Sequence, residues 1–146
     1  MLSQPPPPAS SPRCWRGTGE SMNTELHYLE LLELAELLRK REITSVEATS
    51  AQLERIAQLD PHLASYALVT AEEALARAVA ADAEIAAGKY RGPLHGVPVG
   101  VKDLFYTKST RTAGGMSIYH DFCPSEEATA VARLERRERS SSANSR

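Results

Sequence analysis

Residues 91–115, RGPLHGVPVGVKDLFYTKSTRTAGG, decide how this chain is read. Successive side chains of a strand point to opposite faces, so Val97, Val99 and Val101 share one side and Gly100 and Lys102 the other. Pro98 has no N–H to give a ladder, which confines the segment to a strand start or a sheet edge. The breakers before it, Gly92-Pro93-Leu94-His95-Gly96, and the Thr/Ser/Gly-rich residues 107–117 after it read as loops. Lys102 then ends an apolar strand, and Gly100 on its face lets a backbone or a substrate approach closely. Withdrawal from water disfavours the charged form of a lysine. A neutral lysine can take a proton from a serine hydroxyl and later return it to a leaving amine. The same spacing fits a strand-end lysine paired with Asp103 and doing no chemistry.

Helical periodicity dominates the residues upstream. From Leu26 to Arg41, Leu31, Leu34, Ala35 and Leu38 recur at helical spacing, with acidic residues early and Arg39, Lys40 and Arg41 late, as the helix dipole favours. Thr44-Ser45-Val46-Glu47 is a capping box that opens a second helix, with Val46, Leu53, Ile56 and Ala57 inward and an end before Pro61. Residues 65–69, Ser-Tyr-Ala-Leu-Val, read as a short strand. Thr70-Ala71-Glu72-Glu73 reads as another capping box, opening an alanine-rich helix that Gly88 closes and whose small residues imply close packing on a neighbour. A last amphipathic helix begins near Glu126 and runs through Leu134.

Composition bounds the rest. The chain has 146 residues, 42% apolar and 25% charged, which fits a single domain or part of one. No apolar run reaches the roughly 18 residues of a membrane span, so no membrane partner is expected. The formal net charge of −2, with Lys and Arg scattered, argues against direct nucleic-acid binding. Cys14 and Cys123 make neither a disulfide framework nor a metal-ligand spacing, so a reducing cytoplasm is the default. His27, His62, His95 and His120 show no finger-type or helical pairing, and neither metal nor cofactor is expected. Cys123 has no identifiable base, and Ser109 and Ser117 are ordinary loop residues. Residues 1–25, rich in proline and serine, are read as a disordered extension, with Met22 the expected true start. Residues 135–146, ERRERSSSANSR, are read as a disordered tail.

GPLHGVPVGVKDLF followed by TAGG resembles the opening of the amidase signature family. The resemblance covers residues 26–134, where helices, lysine strand and the ATAVARL helix arrive in the family's order. It implies an α/β fold, with helices packed on a mixed sheet, and a hydrolase that cleaves carboxylic amide C–N bonds through a serine, a cis-serine and a lysine. By position Lys102 matches the catalytic lysine, the base that acts through the cis-serine on the nucleophile. A small-molecule amide is the implied substrate of the complete enzyme, and the A subunit of the tRNA-dependent amidotransferase is among the implied relatives.

The departure from the family matters as much. Nothing like the glycine- and serine-rich segment that carries both serines and the oxyanion-hole amides is present, and Ser140, Ser141 and Ser142 have no glycines around them. Without preorganised amides the largest electrostatic contribution to such catalysis is missing. This polypeptide is therefore expected to be inactive alone. The alternative is a noncatalytic truncated fragment or a helical interaction module. Suitable codons for residues 135–145, reread from their third base, give Ala-Ala-Gly-Ala-Val-Ile-Leu-Gly-Lys-Leu, the apolar segment with which the family continues. A frameshifted or truncated gene product is thus expected, and a nucleotide sequence with no family-like continuation in the other frame would refute the frameshift.

Overall fold

A computed structural model describes residues 26–139. The extension read over residues 1–25 and the end of the tail, residues 140–146, lie outside the described residues. Four α-helices carry the structure: α1 (Leu31–Lys40), α2 (Ser45–Leu63), α3 (Ala71–Ala86) and α4 (Thr129–Arg139), with short 3-10 turns at Leu26–Tyr28 and Ser117–Tyr119. α4 thus continues through Arg139, past Leu134.

The expected α/β fold is corrected by this architecture, because no strand or sheet forms among the described residues. A strand exists through its ladder, and the backbone groups of these two segments that do bond go to partners other than a neighbouring strand. Val97 N–H donates to Leu94 O, and Phe105 N–H donates to Lys102 O at 3.0 Å, so the lysine opens a turn where the strand was expected to end. In the other segment the Asp60 carboxylate takes the amides of Ser65 (2.7 Å) and Tyr66 (3.1 Å). Ser65 and Tyr66 thus finish α2, and residues 65–69 all lie exposed.

The helix ends follow from their residues. Thr44 caps α2 as its box predicts: its hydroxyl accepts from Glu47 N–H (3.1 Å), and the Glu47 carboxylate accepts from Thr44 N–H (2.7 Å). α2 does not stop before Pro61 but includes it, running to Leu63. The amide that proline lacks falls in the last turn, where Ala64 N–H donates to Asp60 O and the Asp60 side chain collects the next two amides. The second expected capping box does not form. Thr70 makes no side-chain cap, and Glu73 pairs instead with Arg77 one turn on, at 2.7 Å. At the far end of α3, Gly88 takes φ +77°, and Lys89 N–H reaches back to Glu84 O (2.9 Å), the closure expected of a glycine there.

The core gathers Leu26, Leu38, Ile43, Ala48 and Ala51, with Leu29, Leu34, Leu37 and Val97 packed against it. α2 turns Ser45, Ala48, Thr49 and Ala51 inward, while Leu53 and Ile56 are half-buried and Ala57 is exposed. The inward face is therefore rotated from the one the apolar pattern indicated. Small side chains let α2 and α3 approach closely, and α3 answers with Ala78, Ala81 and Asp82 at helical spacing. Asp82 repays its place on that face. Its carboxylate accepts from Ser45 N–H (2.6 Å) and Val46 N–H (3.1 Å), two of the unpaired amides at the start of α2. Replacing Asp82 with Ala strands both amides in a half-buried setting, so Asp82→Ala is expected to lower unfolding free energy by about 1–3 kcal/mol in urea denaturation. Asp82→Asn, which keeps one acceptor oxygen, should lose less.

Candidate active site

The turn that follows α3 positions everything downstream of it. Ser45 Oγ donates to Gly96 O (2.6 Å), tying residues 91–97 to the start of α2. Gly96 has φ +81°, and a Cβ there would stand 3.1 Å from Ser45 Oγ and 3.2 Å from Ser45 Cβ. Glycine is required at this point on both counts. His95 is 4% exposed and sits between two partners. Its Nε2 lies 3.0 Å from Glu84 Oε2 on α3, and its Nδ1 accepts from Arg91 N–H at 3.2 Å. The Arg91 guanidinium pairs with the other Glu84 oxygen. Burial pushes the His95 ring below its ordinary pKa, the adjacent Arg91 charge acts in the same direction, and Glu84 and Asp82 oppose them.

From this anchored turn the chain leads to Lys102. Val97 packs on the core, but Val99 and Val101 are exposed, and so is Lys102. The expected withdrawal of this lysine from water is not met. Its Nζ makes no hydrogen bond or ion pair among the described residues. The Lys102–Asp103 pair does not form either. Asp103 Oδ1 accepts from Ala113 N–H (3.0 Å) and Asp103 O from Gly114 N–H (2.9 Å), which brings the Gly114-Gly115 loop beside the lysine's backbone. Both glycines have positive φ, 58° and 73°. Leu104, Phe105 and Tyr106 continue the exposed apolar run, with Met116, Ile118 (84% exposed) and Tyr119 across the loop.

The remaining reactive side chains lie elsewhere. Neither the Ser109 nor the Ser117 hydroxyl bonds to Lys102. Cys123 is free and exposed at a cavity of about 200 Å³ formed with Tyr106, Phe122 and Pro124. His120 Nδ1 lies 2.8 Å from the exposed Asp121 carboxylate, and both ring nitrogens of His27 are buried without a hydrogen-bond partner. A second cavity, of about 150 Å³, lies at the end of α2 between Arg55, Ile56, Leu59 and Tyr66. Neither cavity includes Lys102. No group of three side chains able to hold a metal ion occurs among the described residues. No described helix is long and apolar enough to cross a membrane.

The polar junction of Ser45, Asp82, Glu84, Arg91 and His95 is the feature that sequence reasoning missed. A signal for it was available. Asp82 stands at helical spacing with Ala78, Ala81 and Ile85, and a carboxylate on an apolar helix face needs a donor from outside its own helix.

Comparison with known proteins places these features. The family model described as Amidase matches residues 47–139, which include Lys102. AmiD of Mycobacterium tuberculosis, provisionally named an amidase, is 58% identical over 106 residues, 73% of this chain and 22% of AmiD. The A subunit of glutamyl-tRNA(Gln) amidotransferase from Geobacter metallireducens is 49% identical over 110 residues, 75% of this chain and 22% of that relative. Its counterpart from Pelobacter propionicus is 45% identical over 113 residues, 77% of this chain and 23% of the relative. The chain therefore spans about 22% of the length of the curated relatives it matches.

With its side chain in solvent and unpaired, Lys102 contributes little to folding. Lys102→Ala is expected to change unfolding free energy by no more than about 0.5 kcal/mol in urea denaturation. A larger loss would reveal a structural contact that the described residues do not show.

Proposed function

This chain belongs to the amidase family, and we propose that it carries the lysine-bearing part of a hydrolase that cleaves carboxylic amide C–N bonds. The observation that supports this reading most is the family match across residues 47–139, which takes in Lys102 and the turn that anchors its segment. The names of its relatives divide between an amidase and one component of a glutamyl-tRNA(Gln) amidotransferase, so the amide group is the substrate chemistry proposed.

In this reading Lys102 is the base. Its neutral amine takes the proton of a serine hydroxyl, that serine relays the demand to a nucleophilic serine, and the nucleophile's oxygen attacks the amide carbon. The proton returns to the nitrogen as the C–N bond breaks, and water then releases the acid from the serine ester. Neither serine has a counterpart in this sequence. The described residues give Lys102 no hydroxyl to deprotonate and no desolvating wall. We therefore propose that the polypeptide alone is inactive.

A noncatalytic module that pairs with a partner is the second reading. Its support is the exposed apolar run through Val99, Val101, Leu104, Phe105 and Tyr106, larger than scattered surface hydrophobes require.

Two measurements test these readings. Ammonia release from simple amides by the purified chain should equal the buffer blank, with Lys102→Ala indistinguishable from wild type. Turnover that Lys102→Ala abolishes would refute the inactive assignment. In AmiD with its matched stretch replaced by residues 26–139 of this chain, Lys102→Ala should lower amide hydrolysis by about 10²–10⁴-fold, the usual worth of a general base. A chimera as active as AmiD that is indifferent to Lys102→Ala would remove the lysine from the mechanism.

A further inference from the structure

His95 is held by two contacts that together specify its protonation state. A backbone amide can only donate, so the 3.2 Å contact from Arg91 N–H requires an unprotonated Nδ1. The 3.0 Å contact to Glu84 then places the ring's single proton on Nε2. The ring closes the turn from Arg91 to His95, with His95 N–H donating back to Gly92 O (3.0 Å). The next residue, Gly96, receives the Ser45 hydroxyl. A second proton on the ring would sit on Nδ1 and face the Arg91 amide donor to donor.

We infer that His95 is an acid-sensitive latch: its neutral ring closes the 91–97 turn on α2 and α3, and its protonation releases that turn together with the Lys102 segment it anchors. This inference goes beyond the proposed hydrolysis and holds whether or not Lys102 is a base.

The groups that face the ring come from every element around it. On α3, Glu84 and Asp82 attract a proton toward it. On its own turn, the Arg91 guanidinium repels one, and the Tyr90 ring lies tilted with its centroid 6.0 Å away, its hydroxyl donating to Ala35 O of α1. Arg39 and Glu36 of α1 flank that tyrosine. Glu84 divides its two oxygens between His95 and Arg91, so it does not serve the ring alone. Burial outweighs these attractions, which agrees with a closed turn that excludes the second proton.

The sign of the pH effect follows by linkage. The closed turn holds the ring below its ordinary pKa, whereas the released turn exposes it near about 6.5. Above that pH both forms are neutral and the latch is at full strength. As pH falls below about 6.5, only the released form gains a proton, and opening grows by up to about tenfold per pH unit until the closed form titrates too.

Hydrogen exchange on the full chain tests this, with rates corrected for their intrinsic pH dependence. Between pH 7.5 and 5.5, protection of the Arg91 and Val97 amides should fall, by at most about tenfold. His95→Asn, whose side chain can accept at the Nδ1 position but cannot titrate, should remove the pH dependence. A wild-type turn with constant protection, or a dependence that survives His95→Asn, would overturn the latch. Should that variant fail to fold, ring nitrogen NMR of the wild type at pH 7.5 decides. The latch requires a proton on Nε2, and a proton on Nδ1 would overturn it.

Discussion

The contact on which this structure depends is a carboxylate placed against a helix start. Asp82 occupies the apolar face of α3 and faces the first free amides of α2. A helix amino terminus carries partial positive charge and unpaired donors, and a half-buried carboxylate is stabilised by both. Each group makes the other's burial tolerable, and together they fix how α3 crosses the start of α2. By contrast, the exposed pair Arg39–Glu36 lies on a single helix, is screened by water, and selects no arrangement between helices. Of the polar contacts, it is the interhelical ones that specify the fold.

The turn after α3 extends the same arrangement by one further layer. Ser45, whose amide is held by Asp82, gives its hydroxyl to Gly96, and Gly96 has no Cβ because Ser45 leaves no room for one. Glu84, two residues after Asp82, takes Arg91 and His95. Residues 91–97 are thus joined to both long helices by polar groups, while Val97 joins the hydrophobic core. Beyond Val97 the anchoring stops abruptly. The side chains of Val99, Val101, Leu104 and Phe105 lie exposed, and the segment is held by the turn behind it, by Asp103 within it and by Ala128 N–H, which donates to Tyr106 O at its end.

Much of this is legible in the sequence. The capping box at Thr44, the closure at Gly88 and the close packing of the alanine-rich helix all rest on interactions within a few residues or on side-chain size, which one sequence displays directly. What misleads is pairing over distance. The alternation of Val97, Val99 and Val101 is genuine, but alternation specifies a strand only when a second segment takes its amides. The box at Thr70 fails because Glu73 has Arg77 as a competing partner one turn away. In α2 the larger apolar residues suggest one inward face, and the satisfied Ser45 together with Ala48 and Ala51 forms another. The lysine of the candidate site is marked by its surrounding motif. Its solvent exposure is not, since burial depends on what stands opposite.

That separation has a chemical consequence at Lys102. The position of its backbone is a local matter: Asp103 spends both its carboxylate and its carbonyl on residues 113 and 114, and Phe105 turns back onto Lys102 itself. No ladder is needed to place it. The reactivity of an amine is not local in this sense. Taking a proton from a hydroxyl near neutral pH requires that water be excluded from the ammonium and that a hydroxyl lie within hydrogen-bond reach. Both conditions are set by surfaces facing the side chain, and the described residues present only the surface behind it. The proton affinity that catalysis needs is therefore determined by residues outside the motif.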